Sequence, residues 1–197
     1  VPETGDAASQ ISIMEDLIAQ DVDAICVVPN DPNALVPTIE KAREAGIVVV
    51  THEAPGIADS VDLDVEAFVN ETFGELFAEK LATAMGGKGK YAGFVGGLTM
   101  ETHMAWYDAA VSYLKANYPD MENVAEEPYE DGNSVEGAHD KALEVLKAYP
   151  DIAGFFDCSA QGGGICEALQ ENDLGGTVKV VSLARSEEHT SELQSPV

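Results

Sequence analysis

Basic residues are scarce in this 197-residue chain: 10 Lys and Arg stand against 36 Asp and Glu, a formal net charge of −26. Nucleic acid and anionic membrane surfaces are recognised through a basic face that releases counterions, so neither is an expected partner. Cysteine is nearly absent. Cys26, Cys158 and Cys166 lack the paired spacing of a disulfide framework or a zinc site, and they read as small buried apolar residues. No apolar run approaches the ~18 residues of a membrane span. A nucleophile elbow, a His-Glu-x-x-His motif and a dinucleotide fingerprint are all missing. His52, His103 and His139 form no ligand spacing with the cysteines, so the reading is a binding protein with no catalytic residues, no metal and no cofactor.

What is present is enough to fold. Hydrophobic residues make up 45% of the chain, with six Tyr, six Phe and one Trp, whereas disorder at this charge goes with far fewer apolar residues. The length suits one domain or two small ones. From Ser9 to Ala184, helix-like periodicity alternates with short apolar runs, the pattern of βα units with a parallel sheet. Strands are expected at Ala24–Val28, Ile47–Thr51, Tyr91–Val95, Ala153–Phe156 and Val178–Leu183, with weaker ones at Ser60–Val65 and Val124–Tyr129.

The helices carry start and stop signals. The first has Ala8, Ile11, Met14, Leu17 and Ile18 on its apolar face. Asp31-Pro32 is an N-cap followed by Pro at the first helical position, and that helix ends at Gly46. Asn70 caps a helix with Phe73, Leu76, Phe77, Leu81 and Ala84 on one face, stopped by Gly86-Gly87. Ser134 starts another, with Val135, Ala138, Ala142, Val145, Leu146 and Tyr149 inward and Pro150 beyond. His139, beside Glu136 and Asp140, reads as solvated.

Gly86-Gly87-Lys88-Gly89-Lys90 lacks the frame of a phosphate loop and reads as a junction. The expected organisation is therefore an N-terminal lobe over residues 1–88 and a second lobe over residues 89–184, with a ligand cleft between them. At the chain ends, Val1 opens without Met and no signal peptide is seen, while Arg185 to Ser195 resembles the translated sequence of a common sequencing-library adapter. Residues 185–197 are expected to be such an artefact, and the rest an open-ended piece lacking its first strand and its C-terminal return. Residues 185–197 carry one Arg and three Glu; without them the net charge is −24.

In parallel α/β sheets ligands bind outside the carboxyl ends of the strands. That rule selects Asn30 and Asp31; His52 and Glu53; Gly96, Gly97, Thr99, Thr102 and His103; and Asp157, Cys158, Ser159 and Gln161. These are mostly neutral hydrogen-bonding groups with a few carboxylates, a set suited to a small neutral polyhydroxylated ligand. Asp31 also suffices as a helix cap. Glu53 has no cap or salt-bridge explanation in the sequence. Trp106 can stack on a sugar face or pack a helix on a sheet. Gly162-Gly163-Gly164 opens a helix after a strand and by itself is a weak anion signal.

The runs Asp23 to Pro32 and Ala42 to Thr51 resemble the periplasmic sugar-binding proteins of ABC importers, of the ribose-binding-like type. Asp64 to Asn70, Gly97 through His103 to Trp106, and Leu146 to Asp151 are similar to the branch that includes autoinducer-2 and rhamnose binders. The resemblance implies a two-lobe fold, each lobe a parallel sheet flanked by helices, closing as a monomer on one small solute outside the cytoplasm. It also implies a membrane permease and an ATPase as partners. An acidic ligand contact would fall on Glu53, a second pair on Thr102 and His103, and a third on Cys158 to Ala160. Glu53 stands where Asp is usual, Thr102-His103 replaces an acid and an amide, and Cys158 replaces a Pro. Arg43 lies on a helix, so the Arg fork many sugar binders use is missing. The first segment also resembles the effector domains of sugar-responsive repressors, which is the alternative; a sugar-modifying enzyme is a third reading.

The acid surplus reads as the surface of a protein from a salt-loving organism, because carboxylate repulsion is screened over ~3 Å at ~1 M salt. Its melting temperature is expected to rise between dilute and molar NaCl in a calorimetric scan; a flat or falling value contradicts this reading.

Overall fold

The computed structural model describes residues 6–183, so Ala184 and the 185–197 tail lie outside the described residues. The chain forms two compact units. The first runs up to Val69 and includes residues 99–104; the second holds residues 70–98 and those from 105 onward. This differs from a boundary at 88/89. The glycines Gly86 and Gly87, at φ +70° and +74°, end one helix and lead directly into a strand of the same unit rather than into a linker.

The first unit runs α1 (Ala7–Ala19), β1 (Ala24–Val27), α2 (Pro32–Glu44), β2 (Val48–His52), a short 3-10 segment (Pro55–Ser60) and β3 (Leu63–Val65). Its strands pair in parallel in the order β1-β2-β3. Asp31 Oδ1 accepts the Ala34 N–H at 3.0 Å and Pro32 occupies the first turn, so α2 starts where the sequence places it. Gly46 then takes φ +85° just past its end, a left-handed stop that a residue with a Cβ resists. Leu35 and Ile39 of α2, Met14 of α1 and Ile25 and Val49 of the sheet share one core. Each such side chain contributes about 1.5–3 kcal/mol by leaving water. Among the described residues, the other sheet face is open: Cys26, Val28, Val48, Leu63 and Val65 are exposed. Cys26 is thus a surface thiol rather than a buried filler, because period-two alternation along β1 turns it away from Ile25.

The second unit runs α3 (Asn70–Met85), β4 (Gly89–Val95), α4 (Glu101–Asn117, from residue 105 onward), β5 (Met121–Asn123), β6 (Tyr129–Glu130), α5 (Val135–Ala148), β7 (Ile152–Asp157), α6 (Gly162–Glu171) and β8 (Lys179–Ser182). Its parallel sheet has the order β5-β4-β7-β8, with β6 also pairing with β4. Both faces are covered. Phe94, Phe155, Ala138, Ala142, Ile165 and Leu169 form a core with α5 and α6, and the opposite face stacks Tyr107 on Phe156 with centroids 5.6 Å apart. Burial on both faces explains why β4 and β7 read as continuous apolar runs.

Several expectations are corrected. The strand expected at Val124–Tyr129 is replaced by β5 before it and β6 at its end, since Glu126-Glu127-Pro128 offers neither alternation nor, at Pro128, an amide for a ladder. Leu76 and Val135 are exposed, and Ala82 rather than Ala84 is buried on α3, a small rotation of each helix face. Ser134 caps α5 as expected, its Oγ accepting the Gly137 N–H at 2.9 Å. His139 is more than solvated: its ring lies 3.2 Å from Asp140 Oδ1 and 3.1 Å from Glu171 Oε2, tying α5 to α6. These two carboxylates push its pKa up.

The glycine run at Gly162 has a packing explanation. A Cβ on Gly162 would meet the Ser182 side chain at 2.5 Å, and one on Gly164 would collide with the Val135 carbonyl oxygen. Helices α5 and α6 approach too closely for any side chain there. Gly164→Ala is expected to destabilise the protein by about 1–3 kcal/mol or more in urea unfolding, because backbone must move to admit the methyl. A neutral result would mean that the two helices are not in this contact.

Candidate functional site

The strand-end residues are built by the register that precedes them. In the first unit, Thr51 is buried and its Oγ1 donates to Asp64 Oδ1 at 2.6 Å, which locks β2 to β3 at their carboxyl ends. One residue on, His52 Nδ1 lies 2.5 Å from the Val65 carbonyl and must donate its proton there. Its Nε2 is then turned toward Glu53 Oε1 at 3.5 Å. Glu53 itself has φ +62°, the left-handed region that glutamate rarely occupies. Burial pushes its carboxyl pKa up, partly offset by His52.

Gln10 ties down the exit of β1, its Nε2 donating to the Val28 carbonyl at 2.7 Å and its Oε1 accepting the Asn30 N–H at 2.8 Å. The Asn30 carbonyl accepts Thr99 Oγ1 at 2.9 Å, and Glu101 Oε2 accepts the Gly56 N–H at 3.0 Å. The 99–104 segment, with Thr102 and half-buried His103, is therefore fastened to the same unit as Asn30, Asp31, His52 and Glu53. Thr102 is 2% exposed, and its Oγ1 has no hydrogen-bond partner among the described residues. A buried hydroxyl left without a partner loses roughly 1–3 kcal/mol. Asp31 spends its carboxylate on the α2 cap.

In the second unit β7 ends in Asp157, and Cys158, Ser159 and Ala160 follow. The thiol of Cys158 is fully buried, and burial together with Asp157 and Asp131 holds its pKa up. Its side chain is not presented at the surface, which corrects the expectation for that position: one residue past β7 its N–H still pairs with the Phe94 carbonyl of β4, and the side chain stays in the core. Ser159 is also buried, with Oγ 2.6 Å from Asp157 Oδ1 and in a still shorter contact with Asp131 Oδ2. Ala160 is exposed and has φ +68°.

Trp106 is a packing residue. It is 2% exposed, its Nε1 donates to Asn70 Oδ1 at 2.8 Å, and Phe73 meets its ring at 4.9 Å. Of its two readings, sugar stacking is the one this burial removes. Asp131 is not among the residues selected from the sequence, because the strand-end rule is applied there only to the stronger strands; following directly on β6, it satisfies the same rule. Among the described residues there is no group of three or more His, Cys, Asp or Glu side chains arranged to hold a metal ion.

Residues 1–191 match the family model described as a periplasmic binding protein domain. The chain belongs to that family. A 50-residue stretch, 25% of this periplasmic binding protein domain, is 48% identical to the D-ribose/D-allose-binding protein of Pseudomonas aeruginosa and spans 16% of it. A solute-binding protein from Burkholderia graminis, solved with D-arabinose, superposes with a TM-score of 0.85 at 24% identity, over 98% of this chain and 67% of that one. A periplasmic solute-binding protein from Actinobacillus succinogenes with bound D-allose gives a TM-score of 0.73 at 30% identity, over 89% of this chain and 63% of that one. The matched stretches span 16% to 30% of the length of the curated relatives. These named relatives are sugar-binding transport proteins rather than enzymes.

The unpartnered hydroxyl of Thr102 makes a stability prediction. Thr102→Val keeps the shape and removes the stranded group, so it should stabilise the unliganded protein by about 1 kcal/mol in chemical denaturation. Thr51→Val, which breaks a made bond, should instead lower stability. The opposite ranking contradicts the assignment.

Proposed function

We propose that this protein is the solute-binding component of an ABC importer, holding a small neutral sugar at the carboxyl ends of its strands. It would do so outside the cytoplasm, as a monomer, and deliver the sugar to a membrane permease driven by an ATPase. Glu53, His52, Asn30, Thr102 and His103 are the ligand contacts proposed in the first unit, with Asp31 as their neighbour on the capped helix. In the second unit the contacts are Ala160 and the backbone around Ser159. The sugars bound by its relatives, ribose, allose and arabinose, define the class to be screened.

One observation carries this reading. Among the described residues, five non-glycine residues have a left-handed backbone: Asp21, Glu53, Asn133, Ala160 and Asp173. Asp and Asn tolerate that conformation, whereas Glu and Ala do not. Glu53 and Ala160 are thus the two costly cases, and each sits in a loop that leaves a strand, which supports a ligand contact at these positions. Strain of order 1–3 kcal/mol persists only where the surrounding structure over-determines a conformation, and such residues cluster at ligand sites. The half-buried, pKa-raised carboxyl of Glu53 can accept a hydroxyl proton in a partly dry setting, where the bond counts for more.

The test is a thermal-shift screen of the protein against pentoses, hexoses, deoxy sugars and autoinducer-2, followed by calorimetry on the hit. Glu53→Ala should weaken binding by about 1.5–3 kcal/mol, or roughly 10- to 150-fold. A hit whose affinity is unchanged in Glu53→Ala removes Glu53 from the site, and a screen with no hit among sugars overturns the sugar-binding reading.

A further inference from the structure

Two carboxylates and one hydroxyl are buried together at the carboxyl edge of the second sheet. Asp131, Asp157 and Ser159 are 3%, 0% and 7% exposed. Ser159 Oγ lies 2.6 Å from Asp157 Oδ1 and closer still to Asp131 Oδ2. A serine hydroxyl has one proton and can donate to one of them only. The second contact is a hydrogen bond only if a carboxyl proton fills it; two ionised carboxylates around one hydroxyl would leave a short oxygen–oxygen contact with no hydrogen in it.

The surroundings say which carboxyl carries that proton. Asp157 Oδ1 also accepts the Ser159 N–H at 2.7 Å, and Asp157 Oδ2 lies 2.9 Å from Ser182 Oγ, so both of its oxygens already face donors. Asp131 Oδ1 accepts the Asn133 N–H at 2.8 Å, whereas Oδ2 faces Ser159 Oγ. Around Asp131, β4 presents the Val95 carbonyl, which takes the Asp131 N–H at 3.0 Å. The start of α5 presents Ser134, and the end of β7 presents Asp157 and the Cys158 thiol. No cation among the described residues bears on it.

We propose that Asp131 is a positioning residue that carries a carboxyl proton, donates it to Ser159 Oγ, and so holds the Ser159–Ala160 turn in its ligand-ready form. Oγ in turn donates to Asp157, giving the chain Asp131 to Ser159 to Asp157 with two protons for two bonds. Losing the Asp131 proton turns one of those bonds into repulsion between buried carboxylates, which loosens the turn that holds left-handed Ala160. The assignment agrees with the pKa of Asp131, pushed up to about 6 chiefly by burial and further by Asp157. A folded-state pKa above the unfolded one means the fold prefers the protonated acid. Stability from this group is therefore present at low pH and lost as pH rises toward about 6. The consequence for ligand binding rests on the sugar-binding reading above.

The test has two readouts on the intact protein. Carboxyl NMR of the chain labelled at Asp side chains should show the Asp131 signal, assigned by its loss in Asp131→Asn, titrating near 6 with the Ala160 amide following it. A midpoint near the ordinary 3.8, or an Ala160 amide that ignores it, overturns the proposal. Calorimetry with D-ribose, or the sugar that replaces it in the screen, should show affinity falling between pH 5 and pH 8. The limit is about 90-fold if only the protonated form binds. Asp131→Asn, whose amide can donate to Ser159 permanently, should abolish that dependence and keep the low-pH affinity, whereas Asp131→Ala should bind weakly throughout. Affinity that varies less than twofold with pH in the unmodified protein overturns the positioning role. If no sugar binds at any pH while Asp131 and Ala160 titrate together near 6, the sugar-binding reading fails and the proton-bearing turn stands.

Discussion

Parallel pairing is the constraint on which the rest depends. Every strand pair in the described residues is parallel, so within each sheet all strands leave at the same edge and every βα loop gathers there. That edge is where backbone geometry is costliest. Glu53 and Ala160 are left-handed, Thr51 and Asp64 clamp the exit of β2, and the Asp131–Ser159–Asp157 chain clamps the exit of β7. The opposite edge, where helices run into strands, places residues that accept a left-handed backbone at its turns: Asp21, Gly46, Gly86, Gly87 and Asp173. The carboxyl edge has such residues too, at Gly132 and Asn133, but there Glu53 and Ala160 adopt the same conformation at a cost.

Charge plays a different part at the surface and inside. Ion pairs such as Lys41 with Glu15 and Lys90 with Asp151 join groups with substantial solvent exposure, and such pairs contribute little. The acid surplus therefore acts as a diffuse, salt-sensitive repulsion rather than as a set of bonds. The buried acids Asp131 and Asp157 are handled by hydrogen bonds instead, and no cation among the described residues bears on Asp131. That is why they are the sensitive point of the second unit.

Much of this was legible in the sequence because local rules and tertiary demands agree. Asp31-Pro32, Gly46, Gly86-Gly87 and Ser134 mark real helix ends, since each supplies the donor, acceptor or left-handed backbone that the end requires. The apolar runs of β2, β4 and β7 are strands because burial on the sheet selects them. The illegible parts are those where packing decides. Trp106 and Cys158 were readable either as contacts or as core, and only the surrounding aromatics and the two-sided cover of β7 show that they are core. Asp131 escapes selection because it follows a two-residue strand, β6, which is too short to show a period and so too weak in the sequence to be used for the strand-end rule. The left-handed state of Glu53 and Ala160 has no signature in residue type at all, since both residues argue against it.

If the ligand is held at the carboxyl edge of the strands, titration with the sugar that gives the largest thermal shift will move the backbone amide signals of Asn30, Glu53, Thr102, His103 and Ala160 most, and leave those of Asp23, Ile47 and Lys88 at the opposite edge unmoved. Changes centred on that opposite edge, or on the open face of Cys26, Val48 and Leu63, would contradict it.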